Sequence, residues 1–115
     1  MEPPGDGRDW LALVAGPLSV DEASSWVVLP SCGAVVVFAG TTSDHSGSAE
    51  EGDERTGVTA IEYEAYEEQA VPRLAAVAAE LRTRWPGVGR VVLWHRTVEV
   101  PLAEASVVVA VSAPH

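Results

Sequence analysis

Few residues in this chain are chemically equipped, and most of them sit in two short stretches. Ser43-Asp44-His45-Ser46 places a carboxylate beside an imidazole within a polar segment, where His45 is either a solvated loop histidine or a site histidine that Asp44 could orient. It is not a hydrolase triad, because that constellation is defined by spatial geometry and no strained nucleophile elbow accompanies it. His95-Arg96 closes an otherwise apolar stretch. A guanidinium there could clamp an anion bidentately, or pair with Glu62, Glu64 or Glu99 across a sheet. Glu62 and Glu64 alternate, and so would share one face of a strand, either as a carboxylate pair or as that strand's wet side. Three histidines and one cysteine lack the C-x-x-C or H-x-x-E-H spacing of a metal centre. Cys32, between Ser31 and Gly33, reads as a small core filler. No glycine-rich phosphate loop is present.

Charge narrows the chemistry further. The 115 residues carry 17 acidic and 7 basic side chains, a formal charge of −10. All the basic residues are arginine, and there is no lysine. An acidic balance of this size opposes sequence-independent binding to nucleic acid, which needs a basic face, and docking on anionic lipid. The longest apolar run, Ala34 to Ala39, is far short of the ~20 residues of a membrane span. A single cysteine argues against a disulfide scaffold, and the N-terminus lacks the pattern of a signal peptide. These features predict a soluble, cytoplasmic, single-domain protein.

The elements that must position these groups follow from periodicity. Residues 1–9 are rich in Pro, Gly and Asp and predict a loose leader ahead of a domain spanning 10–115. Trp10–Val14 predicts a strand. Ser19-Val-Asp-Glu22 fits a capping box opening a helix from Val20 to Val28. Gly33–Ala39 is continuously apolar and predicts a strand buried on both faces. Gly40 to Gly57 is polar and glycine-rich and predicts a long loop. Val58–Ala65 alternates and predicts a half-exposed strand. Glu67–Trp85 changes to helical spacing, with Pro72 tolerated if the helix begins only a turn earlier. Arg90–Arg96 and Ala105–Ala113 predict two final strands. The whole is an α+β fold with helices on one face of the sheet. The last strand runs to Ser112-Ala-Pro-His115 with no helix to cover the open face. Such an apolar patch predicts aggregation or obligatory partnering.

Six stretches in register resemble the large, catalytic subunit family of molybdopterin synthase. They are Gly33–Thr41, Asp44-His45, Val58–Tyr66, Arg84-Trp85-Pro86, His95-Arg96 and Glu104–Ser112. The resemblance runs from about Leu11 to the last residue. It implies an α+β fold combining an α/β hammerhead element with a ferredoxin-like part. It implies sulfur transfer that converts cyclic pyranopterin monophosphate to molybdopterin in molybdenum cofactor biosynthesis, with no cofactor of the protein's own. The sulfur donor in that family is the thiocarboxylated Gly-Gly tail of a small ubiquitin-like subunit. Large subunits pair centrally, and a small subunit at each end completes a heterotetramer.

Carried over position by position, the resemblance puts Thr41, Thr42, Ser43 and His115 in the substrate pocket, with Asp44 and His45 beside it in the pocket loop. Ser43 stands where the family has arginine. The glycine that usually follows the first His-Arg pair is absent from His95-Arg96-Thr97-Val98. The family's C-terminal helix and its Lys-x-x-x-Pro-x-Trp-Lys segment have no counterpart in these residues, which leaves the catalytic residues unassigned. Two functions remain open on this pattern: the sulfurtransferase subunit itself, or an inactive homologue that binds the small subunit or a complete paralogue.

Overall fold

A computed structural model describes residues 1–5, 7–43, 60–97 and 100–115. The elements run β1 (Asp9–Val14), α1 (Val20–Val27), β2 (Ala34–Thr41), α2 (Ala60–Arg84), β3 (Val91–Arg96) and β4 (Ala105–Ala113). The four strands form one sheet in the order β1-β3-β4-β2. β3 is parallel to β1, and β4 is antiparallel to both of its neighbours, β3 and β2. The sheet is therefore mixed, and β1, β2 and β3 all end at the same edge. Among the described residues no helix is long and apolar enough to cross a membrane.

The Ser19 half of the expected capping box forms. Ser19 is the N-cap of α1, and its Oγ accepts from the Glu22 N–H at 3.1 Å. Asp21 and Glu22 lie in the first turn, where the helix dipole favours acidic side chains. Ala23 and Val27, four residues apart, point inward onto Trp10, Val92, Trp94, Val108 and Ala110. Trp10 and Trp94 meet edge to face at 4.9 Å between ring centroids, and Trp26 adds a second such contact at 5.2 Å. This geometry suits the aromatic quadrupole.

The second core lies on the opposite side of the sheet, where Leu74, Ala78 and Leu81 of α2 cover Leu11, Val91 and Leu93. Residues one apart along β3 thus serve different helices: Val92 and Trp94 face α1, and Val91 and Leu93 face α2. The expectation of helices on one face is corrected here, and the strand order supplies the reason. The connection through α1 moves from one edge strand to the other, and the connection through α2 moves back. Right-handed crossovers taken in opposite directions lie on opposite faces.

Three further expectations change. Of the strand expected at Val58–Ala65, residues 60–65 belong to α2 instead, and Val58 and Thr59 lie outside the described residues. Eight residues of alternation also contain Ile61 and Ala65 at i, i+4, and once a helix is nucleated its extension is inexpensive. Pro72 consequently lies well inside α2 rather than one turn from its start, where it cannot donate to the residue 68 carbonyl. The apolar run in β2 is not buried on both faces. β2 is an edge strand, and Val36 and Phe38 are 69% and 59% exposed on the side that α2 leaves uncovered. Cys32, by contrast, is buried as a core residue. It lies against Gly89, where any Cβ would come within 2.6 Å of its Sγ.

Arg82 ties α2 to the sheet. Its Nε and Nη2 both donate to Asp9 Oδ1, at 2.9 and 2.6 Å. The same guanidinium donates to the carbonyls of Val88, Arg8 and Gly89 at 2.8–3.0 Å. Only a planar fork with several donors can reach so many acceptors at once. Arg82→Ala should lower unfolding free energy by about 3 kcal/mol, because it strands a partly buried carboxylate and three carbonyls. Arg82→Lys should recover less than half of that loss. Urea denaturation of the three proteins checks this, and a loss below about 1 kcal/mol for Arg82→Ala would show the hub to be dispensable.

Candidate functional site

The candidate site lies at the edge where the three parallel strands end, which is where ligands gather in open sheets with crossover helices. β2 and β4 pair regularly from Ala34↔Ala113 to Gly40↔Val107, and then the register shifts so that Thr41 faces Ala105. The extra residue is Ser106, whose Oγ donates to the Gly40 carbonyl at 3.3 Å. A bulge of this kind bends the strand and re-aims the residues on its far side. There the Thr42 N–H donates to the Glu104 carbonyl at 3.0 Å, and the Ala103 N–H donates to the Thr42 carbonyl at 2.9 Å. The Glu104 N–H returns to the Pro101 carbonyl at 3.2 Å and closes the turn. Ala103 sits at φ 70°, in the left-handed region.

Arg96, the last residue of β3, reaches this turn. Its side chain is 7% exposed, and its Nη1 donates to Glu104 Oε1 at 2.9 Å. Its Nε is buried and makes no hydrogen bond. The expected partners are Glu62, Glu64 or Glu99. The observed one is Glu104, which the hairpin from β3 to β4 brings alongside the end of β3. Glu62 and Glu64 belong to α2 and not to a strand face, and Glu99 lies outside the described residues.

Leu18, Val20, Thr41, Arg96, Ala103 and Glu104 line a cleft of about 470 Å³ between this turn and the N-terminus of α1. Its walls are mostly apolar, with one hydroxyl and one ion pair. Arg96 is already neutralised by Glu104, and Asp21 and Glu22 stand in the adjoining first turn of α1. Among the described residues, acidic groups therefore outnumber the cation at the cleft. Among the same residues no group of three His, Cys, Asp or Glu side chains could hold a metal ion.

The fold gathers only part of the expected site. Thr41 lines the cleft, Thr42 is bound to the 103–104 turn, and Ser43 follows as an exposed residue. Asp44 and His45 lie outside the described residues. His115 is not with them. It stands beside Gly33, where an added Cβ would meet its own Cβ at 3.0 Å. The seven steps of β2 that separate the two ends span roughly 23 Å. Ala103 is not singled out by the sequence, and Glu104 and Ser106 enter there only within the Glu104–Ser112 stretch, without a site role. The cue is available for Glu104, since an antiparallel return from Arg96 to a strand starting at Ala105 sets them close together.

Comparison with known proteins decides the family. A family model described as "MoaE protein" matches residues 13–115. The chain belongs to the MoaE family. It is 41% identical over 107 residues to the molybdopterin synthase catalytic subunit of Drosophila mojavensis, covering 93% of this chain and 27% of that protein. It is 41% identical over 108 residues to the subunit of Taeniopygia guttata, covering 94% and 65%. With catalytic subunit 1 of Aedes aegypti the figures are 42% over 107 residues, 93% and 64%. The chain thus spans from about a quarter to two-thirds of the length of these relatives. The crystal structure of molybdopterin synthase from Staphylococcus aureus has the same fold, with a TM-score of 0.62 at 20% identity over 95% of this chain and 72% of that one.

Ala103 offers a direct test of the turn geometry. A left-handed alanine carries a steric cost of about 1–2 kcal/mol that glycine avoids. Ala103→Gly should therefore raise the melting temperature by a few degrees in calorimetry. A lowered melting temperature would mean that the turn does not hold this conformation in solution.

Proposed function

We propose that this chain acts as a molybdopterin synthase catalytic subunit. In this reading it receives sulfur from the thiocarboxylated Gly-Gly tail of a small ubiquitin-like carrier, and the acceptor is cyclic pyranopterin monophosphate. The observation that carries the reading is the family match across residues 13–115, together with relatives about 40% identical over nearly the whole chain that bear that name. A cytoplasmic location belongs to the same reading.

Thr41, Thr42 and Ser43 form the substrate-facing end of the cleft, with Asp44 and His45 following them in sequence. His115 joins such a site only from a second copy of the chain, because it stands at the far end of β4 in its own. A pair of large subunits, each flanked by a carrier, satisfies that requirement. Within one chain the role of Thr41 and Thr42 is steric and hydrogen-bonding, since neither bears charge. Their hydroxyls can hydrogen-bond a ring system but cannot neutralise its phosphate, and the Thr42 N–H and carbonyl are already engaged by residues 103 and 104.

A second reading rests on the cations. The phosphate of the pterin and the thiocarboxylate both need positive partners, and charge-assisted bonds contribute roughly 1.5–3 kcal/mol each. Ser43 removes one guanidinium from the family pattern. That loss favours a homologue that holds the carrier or a complete paralogue without turning substrate over.

Mixing the chain with thiocarboxylated carrier and cyclic pyranopterin monophosphate, and measuring molybdopterin formed, separates the two. Product supports the synthase, whereas carrier binding without product supports the scaffold. Ser43→Arg should tighten substrate binding about tenfold by calorimetric titration, through one added charge-assisted contact. Unchanged affinity would remove position 43 from the substrate pocket.

A further inference from the structure

We propose that the Arg96–Glu104 ion pair is a positioning device that holds Thr42 and the start of the substrate segment, and is not chiefly a source of global stability. The inference rests on the synthase reading for what that segment does, but the clamp itself stands on geometry alone. Four contacts form an unbroken chain. Arg96 closes β3, in the middle of the sheet, and its Nη1 bonds Glu104 Oε1 at 2.9 Å. Glu104 belongs to the turn closed onto Pro101 at 3.2 Å. The carbonyl of Glu104 receives the Thr42 N–H, and the N–H of Ala103 is received by the Thr42 carbonyl. Thr42 is thereby held on both sides by one turn, and that turn is pinned by one buried guanidinium.

The pair is poorly built for stability. Arg96 is 7% exposed, and its Nε is buried with no hydrogen-bond partner, while Glu104 remains 47% exposed. A buried charge with an orphan donor commonly contributes less than an apolar side chain of similar volume. The energetic yield of this arrangement is low, but its geometric yield is specific. The regular β2–β4 ladder is interrupted at the bulge between Gly40 and Thr41 and resumes for a single pair, Thr41↔Ala105, so only one ladder pair beyond the bulge supports the Thr42 contacts with residues 103–104. The ion pair adds a restraint from β3. The left-handed Ala103 shows that the turn adopts this path against its own local preference.

Amide hydrogen exchange on the full chain reads the clamp residue by residue. Arg96→Met should speed exchange at the Thr42 and Ala103 amides by about tenfold, which is what the loss of one charge-assisted restraint would produce. Amides of Val92 and Val109 should keep wild-type rates, and the melting temperature should move by no more than a few degrees. Glu104→Gln keeps the acceptor oxygen and should give an intermediate acceleration at the same two amides; it also serves if Arg96→Met does not fold. Wild-type exchange at Thr42 and Ala103 in both variants overturns the proposal, as does a uniform acceleration that includes Val92 and Val109. Titration with cyclic pyranopterin monophosphate adds a separate arm. Faster Thr42 exchange with weakened binding supports the clamp and the substrate reading together. Faster exchange with unchanged binding supports the clamp and removes this segment from the substrate site.

Discussion

The antiparallel ladder that β4 makes with β3 on one side and β2 on the other sets the geography of the molecule. Without it, β2 would have no register with the parallel β1–β3 pair. With it, β2 becomes an edge, and the ends of all three parallel strands are brought level at one rim. The same ladder then fails at one point. The extra residue at Ser106 shifts the β2–β4 register after Gly40, and the ladder then ends one pair later, at Thr41↔Ala105. The reading of the site depends on that shift, because Thr42 is held beyond it by backbone bonds to residues 103 and 104.

The ladder also fixes a distance that no side-chain rotation can close. Thr41 and Ala105 stand at one end of the β2–β4 pair, and Ala34 and Ala113 at the other. His115 therefore cannot meet Thr41, Thr42 and Ser43 within one chain. A family pocket that uses both positions becomes a statement about two copies. The exposed apolar residues Val36 and Phe38 on the uncovered side of β2 fit a protein that does not present this face to water throughout its working life.

Local elements are legible in the sequence where one physical signal dominates. The Ser19 N-cap of α1, the strand from Trp10 and the strand Ala105–Ala113 all appear where local pattern and end signals put them. The readings that fail need non-local information. Val58–Ala65 carries both a two-residue and a four-residue repeat, and the neighbouring helix decides between them. The run at Gly33–Ala39 has the composition of a central strand, yet strand order makes it an edge. Which face each helix covers depends on the direction of each crossover, which no local pattern encodes. The partner of Arg96 depends on a hairpin return and a bulge, whereas alternation points to acids across a strand and misses Glu104. Thr41 to Ser43 enter as candidates through family resemblance alone. Their hydrogen-bonded setting at the 103–104 turn is visible only in three dimensions.

The central claim is that the rim around Thr41, Thr42 and the 103–104 turn is where an anionic pterin is received. Backbone chemical-shift mapping of the full chain during titration with cyclic pyranopterin monophosphate tests it most directly. The account predicts saturable shifts at the amides of Thr41, Thr42, Ser43, Ala103 and Glu104, with His115 shifting as well when two copies share the site. Saturable binding that perturbs none of these five amides would contradict it.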